Sequence, residues 1–530
     1  MEKTSTYAVP VGMAYCFNLM MGAGQLALPK AFVQGGWVLG LSGITLLAFM
    51  SYSTVTFIIE AHSVHNALRR YDGSKKRKTE IEKHELIEKT ESVPHDANGN
   101  SYNNGNKNNN NNIIKNINKN QINNNNKGND NNNNNSDSNN KYDSNNSVEP
   151  LHTYEITMKT ELGELCNIFL NKFGYFVFYI AFCLYLYGSS SIYAAAVSKS
   201  LASIVCKDQE SFHAGNHSVP CKTFPQITLM QTYRISLAVF TLLCCPFAFC
   251  KLTSTKVLQV STMAFRCLAL LAMVILALLK MGKEGAVSHP QIADFRKLPD
   301  FISTAICAFM CQYSIPSVVT PIRNKKNLRI AVFLDFCLVL LFCACLTMTA
   351  VYAFDVDQVQ DLYTLTFQHP LGMRYILQLF PILTLGANFP VIAVVLRDNI
   401  KKFFLVRNEE EYGVFLRRVL FPLVAVIPPV VVSYCTYDVG MLVGYTGVYF
   451  GAIIQYLIPV FLVHSARRKA RETFGTYDNR YASPLSGVGW LVLVLAWYVM
   501  TFVFVTYSKL NNLHDAEEQL RIFSGSKKSV

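Results

Sequence analysis

Uninterrupted apolar runs of about 20 residues recur along this chain of 530, and no other feature restricts its fold so tightly. A helix of that length crosses about 30 Å of hydrocarbon. Lipid offers no partner for a backbone N–H or C=O, so each run must be helical unless neighbouring helices shield its breaks. The runs fall at roughly 9–30, 37–60, 173–200, 232–250, 257–280, 300–320, 330–353, 372–396, 415–434, 439–463 and 486–508. They predict an all-α integral membrane protein of about 11 transmembrane helices, and their length excludes a transmembrane β-barrel. The first run has neither a basic leading region nor a small-residue cleavage site, so it reads as a span and not as a cleaved signal. Only 16% of residues are charged, and those are gathered in a few blocks between the runs.

Those blocks predict orientation, because short cytosolic connections carry an excess of Lys and Arg. Residues 323–329 hold four basic residues, 397–418 six and 467–480 five, against fourteen in the long 64–160 connection. All four therefore read as cytosolic, as does the N-terminus, with the odd number of spans leaving the tail after Ser508 on the other side. The chain divides accordingly into spans one and two (1–63), a cytosolic connection (64–160), spans three to eleven (161–508) and a C-terminal tail (509–530). Within the connection, about 98–147 is asparagine-rich and cannot bury enough apolar surface to fold, so it reads as a disordered insert. The net charge of +13 concentrates on cytosolic loops, where the lipid bilayer and not nucleic acid is the expected partner.

The 201–231 loop supplies separate chemistry. Cys206 and Cys221 flank the sequon Asn216-His217-Ser218, which predicts a disulfide and a glycosylated asparagine in an oxidising compartment, on the side opposite the basic loops. The membrane is then the plasma membrane or an endolysosomal one. The other cysteines, mostly inside apolar runs and without metal spacing, read as small packing hydrophobes.

The first run is the odd one. It reads YCFNLMMGAGQLALPKAF over 15–32, with an asparagine, a Gly-x-Gly and a proline where a helix should be most regular. Non-helical backbone at membrane depth is tolerated where it is buried in protein or lines a cavity, and the freed backbone groups there can bind ions and polar solutes. Gly22 and Gly24 permit such a break, and Pro29 removes one more donor. Tight packing against another helix explains the same glycines equally well.

NLMMGAGQLALPKAFVQGGWVLGL resembles the first-helix signature of the amino acid/auxin permease family, part of the amino acid–polyamine–organocation superfamily. FMCQYSIPSVVTP, NFPVIAVVLRDN and GAIIQYLIPVFLVH follow in the order found in one orphan branch of that family, and the resemblance covers nearly all of the chain except the insert and the tail. It implies a five-plus-five inverted repeat with helices 1 and 6 broken, the second break falling at 311–316. It implies a Na⁺ site using Asn18 and Asn388, the latter where sodium-coupled relatives carry threonine or serine. It also implies a substrate site formed by Gly22, Ala23, Gly24 and Gln25, with Gln312 and Ser314 on the opposite wall. Gln312 stands where many relatives have histidine, so proton coupling is not carried over from that position. No cofactor is implied beyond Na⁺ as coupling ion.

Several ionisable residues lie inside spans, and of these Arg266 and Asp335 are expected to pair with each other or to reach the interface. Glu60, at the edge of the second span, reads as interfacial. No phosphate loop, metal spacing or nucleophile elbow occurs, so an enzyme is not expected. Two functions remain: a secondary transporter of amino acids or related small solutes, coupled to Na⁺ or H⁺, or a non-transporting nutrient receptor using the same pocket.

Overall fold

The computed structural model describes residues 6–91, 154–206, 220–249, 256–287, 290–404, 415–475 and 477–526. The asparagine-rich insert and Asn216 lie outside them. Among the described residues, ten helices are long and apolar enough to cross a membrane, and a bent pair, Val9–Met20 and Ala23–Gly35, makes an eleventh span. The others are Trp37–His84, Lys172–Cys206, Leu229–Phe249, Ser261–Glu284, Leu298–Val319, Leu328–Ala353, Leu371–Phe404, Arg418–Cys435, Val439–Phe474 and Val488–Asn512, numbered below as spans two to eleven. No strand is present among the described residues; two isolated β-bridges occur there, one joining Tyr7 to Ile322.

Two boundaries differ from the sequence reading. The helix of the second span continues to Glu91, well past residue 63, and the last helix continues to Ser526. Both extensions leave the apolar run but keep good helix formers: KKRKTEIEKHELIEK has no Gly or Pro, is mostly Lys, Glu, Arg and Leu, and places Glu and Lys at helical spacing. Apolar length therefore marks where a span leaves hydrocarbon, not where its helix stops. Residues 69–152 form a unit of their own, described only over its helical start.

The third span is the centre of the transmembrane unit. Its sequence GSSSIYAAAVSKSLAS buries Ser189, Ser190, Ala194, Ala195 and Ala196, small enough for the eighth and tenth spans to approach closely. At Gly188 an added Cβ would lie 2.3 Å from Thr446 Oγ1. Leucines and valines of the outer spans, such as Leu242, Leu268 and Val488, are exposed, as a lipid-facing surface requires.

The segment 154–160 is pinned to the second span. The Asn66 side-chain oxygen accepts hydrogen bonds from the amides of Thr157 (3.1 Å) and Met158 (2.8 Å). Beside it lies a correction: Glu60 is not interfacial but fully buried. Arg467 donates to both of its carboxylate oxygens at 2.6 and 2.8 Å, Ser483 N–H donates at 2.8 Å, and the Tyr477 hydroxyl donates as well. A charge this deep is held only by a paired, fully hydrogen-bonded partner.

Candidate functional site

The first span breaks at Met21 and Gly22, with a bend of 55°. Gly22 N–H bonds to Met20 O at 2.8 Å, which diverts it from Asn18 O, its acceptor in an unbroken helix. Gly22 is extended (φ −99°, ψ −155°), a conformation open to any residue, so its value here is lack of bulk. Pro29 lies within the second helix and does not make the break. The sixth span ends its first helix at Ala308 and resumes at Ile315, with a short 3-10 turn over Gln312–Ser314 between. Thus the second break begins a little earlier than 311–316, and Pro316 belongs to the resumed helix, where a missing N–H costs nothing.

The two breaks face each other across contacts that reassign several expected substrate residues. Gly24 packs against the sixth span so closely that a Cβ would lie 2.8 Å from Ala308 N and Cα. Gln25 donates through Nε2 to Ala308 O at 2.6 Å, satisfying a carbonyl freed by the second break. Gln312 turns away to the second span: its Oε1 accepts from Cys311 N–H (2.9 Å), and its Nε2 donates to Ser51 Oγ (2.9 Å) and Thr54 Oγ1 (3.2 Å). Gly24, Gln25 and Gln312 therefore stitch the broken helices to their neighbours, and Ala23 is buried beside them. None of these four is among the residues that line the central cavity.

That cavity, of about 680 Å³, lies between the first, third, fifth, sixth and eighth spans. Asn18, Gly22, Tyr193, Arg266, Ser314 and Asn388 border it, so the two asparagines singled out from sequence share one space with one glycine and one serine of the expected set. The Asn18 side-chain oxygen is buried and has no partner. From here the cavity runs to Thr6 and Lys159, both exposed, at the end of the bundle where the first span begins.

Of the two expectations for Arg266, neither holds: it makes no ion pair with Asp335, and it is buried and does not reach the interface. Its Nη1 donates to Asn18 O at 2.6 Å, the carbonyl released by the break, while Nη2 is buried without a partner. Asp335 lies instead against the Cys16 thiol, with Oδ2 unpartnered. The guanidinium thus meets the carbonyl that the break sets free.

The opposite end of the bundle carries a charge cluster that the sequence reading missed. Asp361, in the connection after span seven, pairs with Lys30 of the first span and, at 3.3 Å, with Lys199 of the third. Burial works against the Asp361 carboxylate, but the two ammonium groups overcome it and hold its pKa far below the usual range. Asp438, which caps the tenth span by accepting from Met441 N–H at 2.9 Å, is shifted the other way by burial and by the nearby Asp361. A second cavity of about 400 Å³, bordered by Lys30, Asp361 and Asp438, lies outside this cluster. Lys199, a cation close to the end of the third apolar run, was the available signal. On the same end, Cys206 and Cys221 form a disulfide.

The sequence matches the profile of a family described as transmembrane amino acid transporter protein over residues 6–78 and 154–506, leaving out the stretch that holds the asparagine-rich block. Transmembrane protein 104 of Homo sapiens is 35% identical over 516 residues, covering 95% of this chain and 97% of that protein. The transmembrane protein 104 homologue of Drosophila melanogaster is 36% identical over 531 residues, with the same two coverages. That of Dictyostelium discoideum is 28% identical over 526 residues, covering 95% and 97%. Among solved structures, the manganese transporter of Eremococcus coleocola in complex with an aromatic bis-isothiourea compound gives a TM-score of 0.45 at 12% identity, with 94% of each chain covered.

Proposed function

This chain belongs to the transmembrane protein 104 branch of the transmembrane amino acid transporter family, and on that premise we propose that it is a secondary transporter of amino acids or related small solutes. The observation that carries the reading is the cavity at the two helix breaks, bordered by Asn18, Gly22, Ser314 and Asn388 and continuous with exposed residues at one end only of the two just described. Broken membrane helices persist where their freed polar groups line a space for a ligand. In this reading the Lys30–Asp361–Lys199 cluster at the opposite end serves as the barrier, and a solute bound at Gly22 has its route on the other side. A conformation with the barrier exchanged completes a transport cycle.

The orientation that goes with this reading has the N-terminus and the cavity mouth in the cytosol, and the disulfide end facing the exterior or the lumen of an endolysosomal compartment. The basic residues of the 323–329, 397–418 and 467–480 connections support it. Coupling to Na⁺ through Asn18 and Asn388 is the family-derived form of the reading, and the unpartnered Asn18 oxygen supports a ligand at that point.

The test is uptake of a tritiated amino-acid mixture into liposomes containing the purified protein, with Na⁺ and proton gradients imposed separately. Accumulation above protein-free liposomes supports the transporter. Saturable binding without accumulation shifts the function to a nutrient receptor, and neither binding nor uptake overturns both.

A further inference from the structure

Arg266 carries a positive charge into the protein interior. The residue is 4% exposed, one arm of its guanidinium is spent on the Asn18 carbonyl, and the other arm, Nη2, is buried with no hydrogen-bond partner. Among the described residues no carboxylate forms an ion pair with it, and its titratable neighbours are the Tyr193 hydroxyl and the Cys267 thiol, both neutral. A guanidinium cannot escape by releasing its proton. A buried, unpaired charge is costly, and the structure keeps this one at the wall of a solvent-connected cavity.

The rest of that wall has a matching bias. The charged residues bordering the cavity are Arg266 and, at the exposed mouth, Lys159, both cationic; no aspartate or glutamate borders it among the described residues. The remaining polar lining consists of amides and hydroxyls, including Asn18, Asn388, Ser314 and Tyr193. Such a cavity concentrates small anions.

We infer that Arg266 is the anion anchor of this site, binding the carboxylate of the solute through its free arm, and that its fixed charge takes the part a coupling Na⁺ would play at the Asn18 carbonyl. The inference rests on the cavity being the solute site; it replaces the Na⁺-coupled form of that reading and narrows the solute to carboxylate-bearing molecules bound without Na⁺. An amine on the same molecule would meet the amide oxygens of Asn18 and Asn388. The one guanidinium thus links the backbone of the break to the cargo, so solute binding acts on the first span directly.

The test uses the full-length protein in nanodiscs and a tritiated mixture of L-amino acids as probe, in Na⁺ buffer and in choline buffer. Unlabelled amino acids and their methyl esters, which keep the amine and remove the negative charge, serve as competitors. Expected are equal binding in both buffers and esters at least about tenfold weaker than the free acids. Arg266→Met should weaken binding roughly 10- to 150-fold, the range set by loss of a charge-assisted hydrogen-bonded contact, with Arg266→Lys in between. Monodisperse elution of Arg266→Lys is the folding control, since it retains a donor for the Asn18 carbonyl. Esters that compete as well as acids, Arg266→Lys and Arg266→Met that bind as wild type, or binding that requires Na⁺ would each overturn the anchor. Uptake of the label into liposomes alongside any of these results leaves the transporter standing without the anchor. Absence of any carboxylate binding sinks the anchor outright.

Discussion

Removing Arg467 should reveal how much the buried Glu60 depends on it. Glu60 is fully enclosed, and of its four hydrogen-bond donors two belong to the Arg467 guanidinium, in a bidentate arrangement at 2.6 and 2.8 Å. Arg467→Met keeps the length of the stem and deletes the charge. The carboxylate then retains only Ser483 N–H and the Tyr477 hydroxyl, and an uncompensated buried charge costs about 3–5 kcal/mol. Because two donors remain, about 3 kcal/mol is the expected loss. Glu60→Gln/Arg467→Met removes both charges while leaving an oxygen to accept from Ser483, so it should fall within about 1–2 kcal/mol of wild type and show a coupling energy of at least about 1 kcal/mol. The assay is the SDS-induced unfolding midpoint in mixed micelles, followed by tryptophan fluorescence and checked for reversibility. If Arg467→Met loses less than about 1 kcal/mol, or the double variant loses as much as the sum of the singles, the carboxylate is not being held by its charge partner and the reasoning is wrong.

The two glycines of the break should separate cleanly. Gly24→Ala forces a Cβ to within 2.8 Å of the Ala308 backbone and should cost about 1–3 kcal/mol in the same unfolding assay, whereas Gly22→Ala, whose Cβ meets nothing closer than 4.0 Å, should fold normally and alter solute binding instead. At the closed end the pH response follows from two opposite shifts. The depressed Asp361 contributes stability that is complete above its ordinary range near pH 4 and is lost only as pH falls through its far lower folded value, so acidification from pH 7 to 5 should not weaken that end. Asp438, shifted upward, contributes stability on the acid side that is lost as pH rises, so Asp438→Asn, which can still cap the helix, should raise the thermal midpoint at pH 7, while Asp361→Asn should lower it. A higher midpoint for Asp361→Asn would contradict the assignment. Asn216→Gln should increase gel mobility of protein from its native host, and unchanged mobility together with proteolysis of that loop from the cytosolic side would reverse the orientation. Deletion of about 98–147 should leave monodisperse protein in detergent, since the 154–160 segment is anchored by Asn66 independently of the insert.

Local rules reached most of the architecture. Apolar length gave eleven spans because hydrocarbon thickness is a one-dimensional constraint, and the Gly-x-Gly and Ser-x-Pro runs marked both breaks because helix-disfavouring residues are read where they stand. The Cys206–Cys221 pairing was legible for a similar reason, both cysteines lying in one short loop. What sequence missed was polar pairing between distant spans. Gln312 looked like a cavity residue from its place at a break, yet its partners Ser51 and Thr54 lie 261 and 258 residues away. Glu60 looked interfacial because its partner is 407 residues on. Arg266 and Asp335 looked complementary because opposite charges attract, but neither sequence position shows that an Asn18 carbonyl has been set free nearby.

The hydrogen bond from Gln25 to the Ala308 carbonyl joins residues 283 apart, and that separation is also an interval of time. At about 5–20 residues per second of synthesis, roughly 15–60 s pass between the making of the first span and the arrival of its acceptor. Through that interval the Gln25 amide, and Asn18 with its Arg266 still to come for much of it, sit in a membrane helix with no native partner. The first span therefore completes its native hydrogen bonds only after the sixth span has been laid beside it, so the order of synthesis sets when the break acquires its final form.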